Sequence, residues 1–205
     1  MATDGGRIHA DARPALAGRR VRLRPGHPDD AQRLRAILAE PSVSRRWGEL
    51  DPVTVIEEDL RGGGSSVLLV AEIDGQVAGG IQYHEENDPM YRHAGIDIYL
   101  GSRFQGQGAG REAIGLLARF LFGQRGHHRL TIDPAAANEQ AIRSYAAVGF
   151  RPVGVMRQYE RGGDGHFHER AIRITAVECV HGAALTGGRG ALPRQPRRAA
   201  FMVPG

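Results

Sequence analysis

The order of elements along the chain predicts an α+β fold in which one mixed sheet is flanked by about four helices. Segments in which apolar and polar residues alternate are typical of strands, and segments with apolar residues at helical spacing are typical of helices. In order, they indicate a strand, two helices, three strands, a helix, a strand, a helix and two strands. The length of 205 residues and the hydrophobic fraction of 41% fit a single globular domain.

Each element rests on a local pattern. Asp74-Gly75 between two apolar runs indicates a tight hairpin, and residues 162–165 indicate a second one. The strands are predicted at Val21–Leu23, Val67–Val70, Val77–Tyr83, Ile96–Leu100, Leu130–Ile132, Val153–Tyr159 and Phe167–Ile174. The helices are predicted between Pro28 and Pro41, after Asp51-Pro52, from Gly110 through Leu121, and from Asn138 to Gly149.

Composition divides the chain into three parts. Residues 1–18 lack periodicity and are predicted as a flexible leader, and residues 19–180 as the folded domain. Residues 181–205, rich in Gly, Pro, Arg and Ala, are predicted as a disordered basic tail. The tail holds four arginines and no acidic residue, which accounts for the whole net charge of +4. The domain is therefore neutral, which argues against a nucleic-acid-binding or membrane-binding module.

Cysteine and histidine usage narrows the class of protein. Cys179 is the only cysteine, which excludes a disulfide framework and a cysteine-based zinc site and predicts a cytoplasmic location. No apolar stretch approaches the ~18 residues of a membrane span. His127-His128 and the pair His166 and His168 lack a supporting third ligand, so we expect no metal. Nothing in these patterns predicts an oligomeric state.

A glycine-rich segment, Gln105-Gly106-Gln107-Gly108-Ala109-Gly110, lies between a predicted strand and a predicted helix. Glycines there allow backbone N–H groups and the start of the helix to face an anion such as a phosphate. A glycine-rich connection can equally be structural, and no Walker or dinucleotide-binding motif is present. The segment alone therefore leaves a phosphate site and a simple loop as alternatives.

Together with four further motifs, this segment resembles the acyl-CoA loop, Gln/Arg-x-x-Gly-x-Gly/Ala, of the GCN5-related N-acetyltransferase (GNAT) superfamily. The other motifs are similar to those of a branch that contains aminoglycoside 6′-N-acetyltransferases and siderophore lysine acyltransferases. They are Glu85-Glu86-Asn87-Asp88-Pro89, Gly95-Ile96-Asp97, Asp133-Pro134 with Asn138, and Ala141-Ile142-Arg143-Ser144-Tyr145 with Gly149-Phe150. Their joint occurrence in this order, over about residues 19–160, makes the resemblance specific.

The resemblance implies a mostly antiparallel, GNAT-type sheet and acetyl-CoA as the acyl donor. Pantetheine would pair with the strand at Ile98, Tyr99 and Leu100, and the pyrophosphate would lie on the amides of Gln105–Gly110. Both placements agree with the physics of a strand edge and of a helix start. The remaining implied cofactor contacts are Arg111, Asn138, Ala141 and Tyr145, of which Arg111 also fits a solvated first turn.

Acyl transfer to an amine needs one group that takes a proton from the ammonium and one that supplies a proton to the departing thiolate. The resemblance implies Asp97 or Asp133 for the first role, with Asp97 favoured, and the Tyr145 hydroxyl for the second. The residues that it implies for a cationic acceptor are Trp47, Glu85, Glu86, Asp88, Asp97 and Asp133. The structural alternatives are core positions for Trp47 and Tyr145 and a solvated turn for the two glutamates.

The resemblance therefore implies transfer of an acetyl group from acetyl-CoA to the 6′-amine of an aminoglycoside, by direct attack of the neutral amine. A second function, acylation of a lysine-type siderophore precursor, shares the same motifs. The chain departs from the family pattern at His168–Arg173, where the branch usually closes with an acidic and apolar strand.

Overall fold

A single mixed sheet organises the protein. The computed structural model describes residues 13–47, 52–61, 66–161 and 166–176, and these residues form eight strands in the order β1-β2-β3-β4-β5-β6-β8-β7. Neighbouring strands are antiparallel except for β5 and β6, which are parallel. The predicted α+β class and mostly antiparallel sheet are confirmed.

The elements have the following bounds. The strands are β1 (Leu16–Ala17), β2 (Val21–Pro25), β3 (Ser66–Ile73), β4 (Gln76–Glu86), β5 (His93–Leu100), β6 (Arg129–Ile132), β7 (Arg151–Arg161) and β8 (Phe167–Ala176). The helices are α1 (Ala31–Leu38), α2 (Pro41–Trp47), α3 (Pro52–Arg61), α4 (Ala109–Gly123) and α5 (Glu139–Ala146). No helix in the described part of the chain is long and apolar enough to cross a membrane.

The described residues contain five α-helices rather than about four. Pro41 is expected from the sequence to end the first helix. The first helix ends at Leu38, and Pro41 begins the additional helix α2. Proline is suited to the first position of a helix because the N–H that it lacks would have no intrahelical acceptor there. As a result Trp47 lies at the end of a helix.

The sheet begins earlier than the sequence indicates. Leu16 pairs with Leu23, so β1 lies inside the segment predicted as a leader, and the boundary at residue 18 is wrong for its described part. The Glu112 carboxylate on α4 accepts hydrogen bonds from the backbone of Arg20 (2.8 Å) and Val21 (3.3 Å), which holds this end of the chain against the helix. Residues 1–12 and the tail, 181–205, lie outside the described residues.

Strand β3 divides the core into two layers. Val67 and Leu69 face the cluster that contains α4, whereas Leu68 and Val70 face the cluster that contains α1, α2 and α3. All four are at most 2% exposed. Successive side chains of a strand point to opposite faces, so an apolar run here means that helices cover both faces.

Candidate active site

A cavity opens where β5 and β6 separate. The two strands pair only at Ala94 with Leu130 and at Gly95 with Thr131, and beyond this point a cavity of about 670 Å³ lies between them. Ile98, Tyr99 and Leu100 of β5 line it. An unpaired strand edge can accept an extended, amide-containing ligand. The predicted residues that line the cavity are Trp47, Asp97, Ile98, Tyr99, Leu100, Gln105, Gly106, Gly108, Gly110, Arg111, Asp133, Asn138, Ala141 and Tyr145.

The glycine-rich loop forms one end of the cavity, at the start of α4. Gly106 (φ +73°) and Gly108 (φ +82°) have left-handed backbones, which glycine adopts without the steric penalty of a side chain. The Gln105 side chain donates to the Leu100 carbonyl at 2.7 Å and fixes the loop to the end of β5. The first amides of a helix have no intrahelical acceptor, so this end of the cavity suits a phosphate.

Two residues of the loop do not line the cavity. The Gln107 side chain donates to the Arg103 carbonyl at 2.8 Å, and Ala109 is buried in the core. Their predicted contribution to binding is therefore limited to the backbone.

Helix α5 supplies the opposite wall. The Asn138 side chain accepts from the Ala141 amide at 3.2 Å, which makes Asn138 the N-cap of this helix. Tyr145 is 9% exposed, and its ring centroid lies 6.3 Å from that of Phe150. Tyr145 therefore lines the cavity, as the resemblance implies, and also packs in the core, as the structural alternative predicts.

Trp47 forms part of the wall on the other face of the sheet. Its Nε1 donates to the Ile98 carbonyl at 3.3 Å, and its ring meets that of Tyr99 edge-on with centroids 4.7 Å apart. Tyr99 in turn covers Gly80, where a Cβ would lie 2.8 Å from the tyrosine hydroxyl. Burial raises the pKa of Tyr99, so this phenol stays protonated.

Two carboxylates lie in the cavity wall, one on β5 and one just after β6. Asp97 is on β5, where the Gln82 side chain donates to it at 3.5 Å, and Asp133 follows the end of β6. Burial, and then the negative charge of Asp97, raise the pKa of the Asp133 carboxyl. The structure therefore brings together the two predicted proton acceptors.

Two charged residues next to Asp133 were missed by the sequence interpretation. Arg170 on β8 donates to the Asp133 backbone carbonyl at 3.1 Å and to the Glu160 carboxylate of β7 at 2.6 Å. The available signal was the departure from the family pattern at His168–Arg173. Nothing in that pattern indicated that β8 inserts between β6 and β7 and so places Arg170 beside the cavity.

Glu85, predicted to bind the acceptor, lies in an ion-paired cluster instead of the cavity wall. Its Oε1 accepts from Arg125 Nε (3.0 Å) and its Oε2 from Arg125 Nη2 (2.9 Å). His127 Nε2 lies 2.6 Å from Oε1. Burial opposes ionisation, but the bonds from His127 and Arg125 prevail and lower the pKa of Glu85 to about 2. The carboxylate ties the loop after α4 to the end of β4, and Glu85 does not line the cavity.

Glu86 and Asp88 also lie outside the cavity wall. Glu86 accepts from the Asp88 amide at 2.8 Å, and Asp88 accepts from the Met90 amide at 2.8 Å. Both carboxylates therefore accept hydrogen bonds from the backbone of the β4–β5 loop. For Glu86 this agrees with the structural alternative, a solvated turn.

Comparison with known proteins assigns the fold to a family. The profile of the acetyltransferase (GNAT) family matches residues 32–150, more than half of the chain. The protein belongs to the GNAT family. It is an acetyltransferase that uses acetyl-CoA as its acyl donor.

A curated relative is a kanamycin resistance protein from Rhizobium radiobacter. It is 35% identical over 75 residues, which represent 36% of this chain and 68% of that protein.

Solved GNAT structures share the fold at lower identity. RimJ from Mycobacterium smegmatis, in complex with CoA-disulfide, has a TM-score of 0.72 and 22% identity over 83% of this chain and 91% of that chain. AAC(6′)-Ib in complex with paromomycin and acetyl-CoA has a TM-score of 0.66 and 22% identity over 82% of this chain and 99% of that chain. The microcin C7 self-immunity acetyltransferase MccE, in complex with acetyl-CoA and AMP, has a TM-score of 0.66 and 19% identity over 78% of this chain and 94% of that chain.

Proposed function

We propose that this acetyltransferase moves an acetyl group from acetyl-CoA to an amine of a cationic small molecule, and that this amine is the 6′-amine of an aminoglycoside. The observation that carries the proposal is the position of Asp97 and Asp133, two carboxylates in the wall of the cavity that also holds the glycine-rich loop. The kanamycin resistance relative and the paromomycin complex of AAC(6′)-Ib support the choice of acceptor.

The donor and the acceptor would enter the cavity from different walls. The amides of Gly106–Gly110 and the start of α4 would hold the pyrophosphate, and the free edge of β5 would pair with pantetheine. Trp47 and the two aspartates would take the cationic acceptor, because carboxylates attract ammonium groups and an indole face attracts cations. The thioester would then lie between β5 and Tyr145.

The chemistry begins with loss of a proton from the acceptor ammonium to the Asp97–Asp133 pair. The neutral nitrogen attacks the thioester carbonyl carbon and forms a C–N bond and a tetrahedral oxyanion. Collapse of that intermediate breaks the C–S bond, and the Tyr145 hydroxyl gives its proton to the departing sulfur and regains one from the product nitrogen. The products are an N-acetyl amide and the CoA thiol, with no covalent enzyme intermediate.

Proton transfer to Asp133 is favoured by the burial of its carboxyl and then by the negative charge of Asp97. A carboxylate with an elevated pKa is a stronger base than an ordinary one, and Asp133 has this property. Asp97 lies on the strand that would hold pantetheine, which brings it close to the attacking nitrogen. Asp97 is therefore the proposed direct acceptor, and Asp133 lies beside it in the cavity wall.

The test is thiol release from acetyl-CoA with a panel of acceptors: kanamycin, spermidine, N-hydroxylysine and a peptide with an N-terminal alanine. We expect turnover with kanamycin, and mass spectrometry and NMR of the product should locate the acetyl group on the 6′-nitrogen. Turnover with N-hydroxylysine alone, faster with longer acyl donors, would support the siderophore-type acyltransferase. Turnover with the peptide alone would overturn the small-molecule proposal.

A further inference from the structure

Arg170 is a largely buried cation at the acceptor side of the cavity, and the proposed chemistry does not use it. Its side chain is 18% exposed and lines the cavity. One terminal nitrogen donates to the Asp133 carbonyl (3.1 Å) and the other to Glu160 (2.6 Å). A guanidinium that binds two acceptors at once fixes both in orientation, which a lysine ammonium on a flexible stem does less well.

The backbone around Arg170 also holds the segment that carries Asp133. Arg170 pairs with Ala135 in an isolated β-bridge. On either side of this bridge the Ala171 amide donates to the Pro134 carbonyl (2.9 Å) and the Ala136 amide donates to the Glu169 carbonyl (3.0 Å). Strand β8 therefore restrains the residues after β6, and the Arg170 side chain extends that restraint to Asp133.

The charges around Asp133 come from four strands. The charged groups that influence the pKa of its carboxyl are Asp97 of β5, Arg170 of β8, Glu160 of β7 and His84 of β4. The charge of Asp133 in turn raises the pKa of Tyr159 on β7. Three carboxylates, those of Glu160, Asp133 and Asp97, act electrostatically on Arg170. Without a cation between them, carboxylates at such a site repel one another and resist ionisation.

We propose that Arg170 is a positioning residue for acetyl transfer, which orients Asp133 against Glu160 and serves as their permanent counter-ion while the cationic acceptor enters and leaves. The inference rests on the proposed function, because it assigns Asp133 to the acceptor site. It explains why this chain has an arginine at a place where its sequence departs from the family pattern.

The proposal has a consequence for pH dependence that a merely structural role lacks. Arg170 opposes the rise in the pKa of Asp133 that burial and Asp97 cause. Removing the positive charge should therefore move the acid limb of the kcat/KM profile to higher pH, by about 0.5 to 1 unit. A loss of packing alone would lower kcat/KM by the same factor at every pH.

The experiment compares Arg170→Met with Arg170→Lys, with kanamycin as acceptor. Arg170→Met should lower kcat/KM at neutral pH by about tenfold or more and shift the acid limb upward. Arg170→Lys keeps the charge and should leave the limb in place, with a smaller fall in kcat. Arg157→Met, on the exposed face of the same hairpin, is the matched control and should behave as the wild type. If Arg170→Met does not fold, Arg170→Gln removes the same charge and retains a donor for the Asp133 carbonyl.

Thermal unfolding provides a readout that does not need turnover. A raised native pKa means that Asp133 stabilises the fold when protonated, and that this stabilisation is lost as pH rises through the native pKa. Without Arg170 the ionised form costs more, so the Tm deficit of Arg170→Met should be larger at about pH 7 than at about pH 4, close to the ordinary carboxyl pKa of 3.8. If the wild type acetylates none of the amines tested, the proposed function fails and this Tm difference decides the inference. Coincident acid limbs for the wild type and both neutral variants, or an equal Tm deficit at both pH values, would overturn it.

Discussion

Asp97 of β5 and Asp133, which follows β6, lie where these two strands separate, and burial together with the charge of Asp97 raises the pKa of Asp133. The elevated pKa of Asp133 does not come from its immediate neighbours in sequence. It arises because a parallel pair of strands, joined over only two residue pairs, opens beside both side chains. The proposed proton transfer depends on this pair, and so does the first prediction.

Asp97→Asn should lower kcat by ~10²-fold or more, because the amide keeps the size of the carboxylate but cannot take a proton. The measurement is steady-state acetylation of kanamycin with the thiol product monitored. Asp74→Asn, in the β3–β4 turn, is the control and should leave kcat unchanged. Retained kcat in Asp97→Asn together with lost kcat in Asp133→Asn would transfer the base to Asp133.

Tyr145→Phe should lower kcat and leave the affinity for acetyl-CoA nearly unchanged, because it removes one hydroxyl and keeps the ring that packs near Phe150. Single-turnover kinetics would isolate the chemical step, and calorimetry would give the affinity. Tyr91→Phe, at a ring that is 67% exposed in the β4–β5 loop, is the matched control. An unchanged chemical step would limit Tyr145 to a packing role.

Gly108→Asp should abolish CoA binding, because it puts a carboxylate at the start of α4, where phosphate is expected. Gly75→Asp is a closely matched control. Gly75 has a similar left-handed backbone (φ +73°) and no atom within 4 Å of an added Cβ, so it reports the backbone cost alone. Calorimetry with CoA on folded protein is the measurement. Near-normal affinity in Gly108→Asp would contradict the assignment of this loop to pyrophosphate.

Glu85→Gln should reduce stability, because the Glu85 carboxylate binds Arg125 and His127. It should leave the KM for the acceptor unchanged, because Glu85 does not line the cavity. The expected loss in free energy of unfolding at neutral pH is roughly 1 to 3 kcal/mol. A raised KM with unaltered stability would restore the acceptor-binding role.

The effect of Glu85→Gln should also depend on pH. The native pKa of Glu85, about 2, lies below its ordinary value of 4.5, so its charge stabilises the fold above pH 4.5 and the contribution is lost as pH falls toward 2. Urea unfolding of the wild type and the variant should therefore converge as pH decreases through this window. Glu86→Gln, an exposed neighbour on the same strand, is the control and should show a smaller effect.

The sequence by itself determined the elements whose signals are local. The alternation at Ile96–Leu100 predicted β5, and the Asp74-Gly75 pair predicted the turn between β3 and β4. The glycines before α4 predicted a loop with unusual backbone conformations, and Gly106 and Gly108 have the left-handed backbone that favours glycine. These features depend on neighbouring residues, so a local pattern is sufficient to find them.

Tertiary structure alone decided which charged groups meet. Glu85 resembled an acceptor ligand, yet it binds Arg125 and His127, which are 40 and 42 residues away along the chain. Arg170 reaches Asp133 because β8 inserts between β6 and β7, an order that no local pattern encodes. An ion pair requires two side chains within about 4 Å, and for residues so far apart in sequence that distance is set by strand order and register.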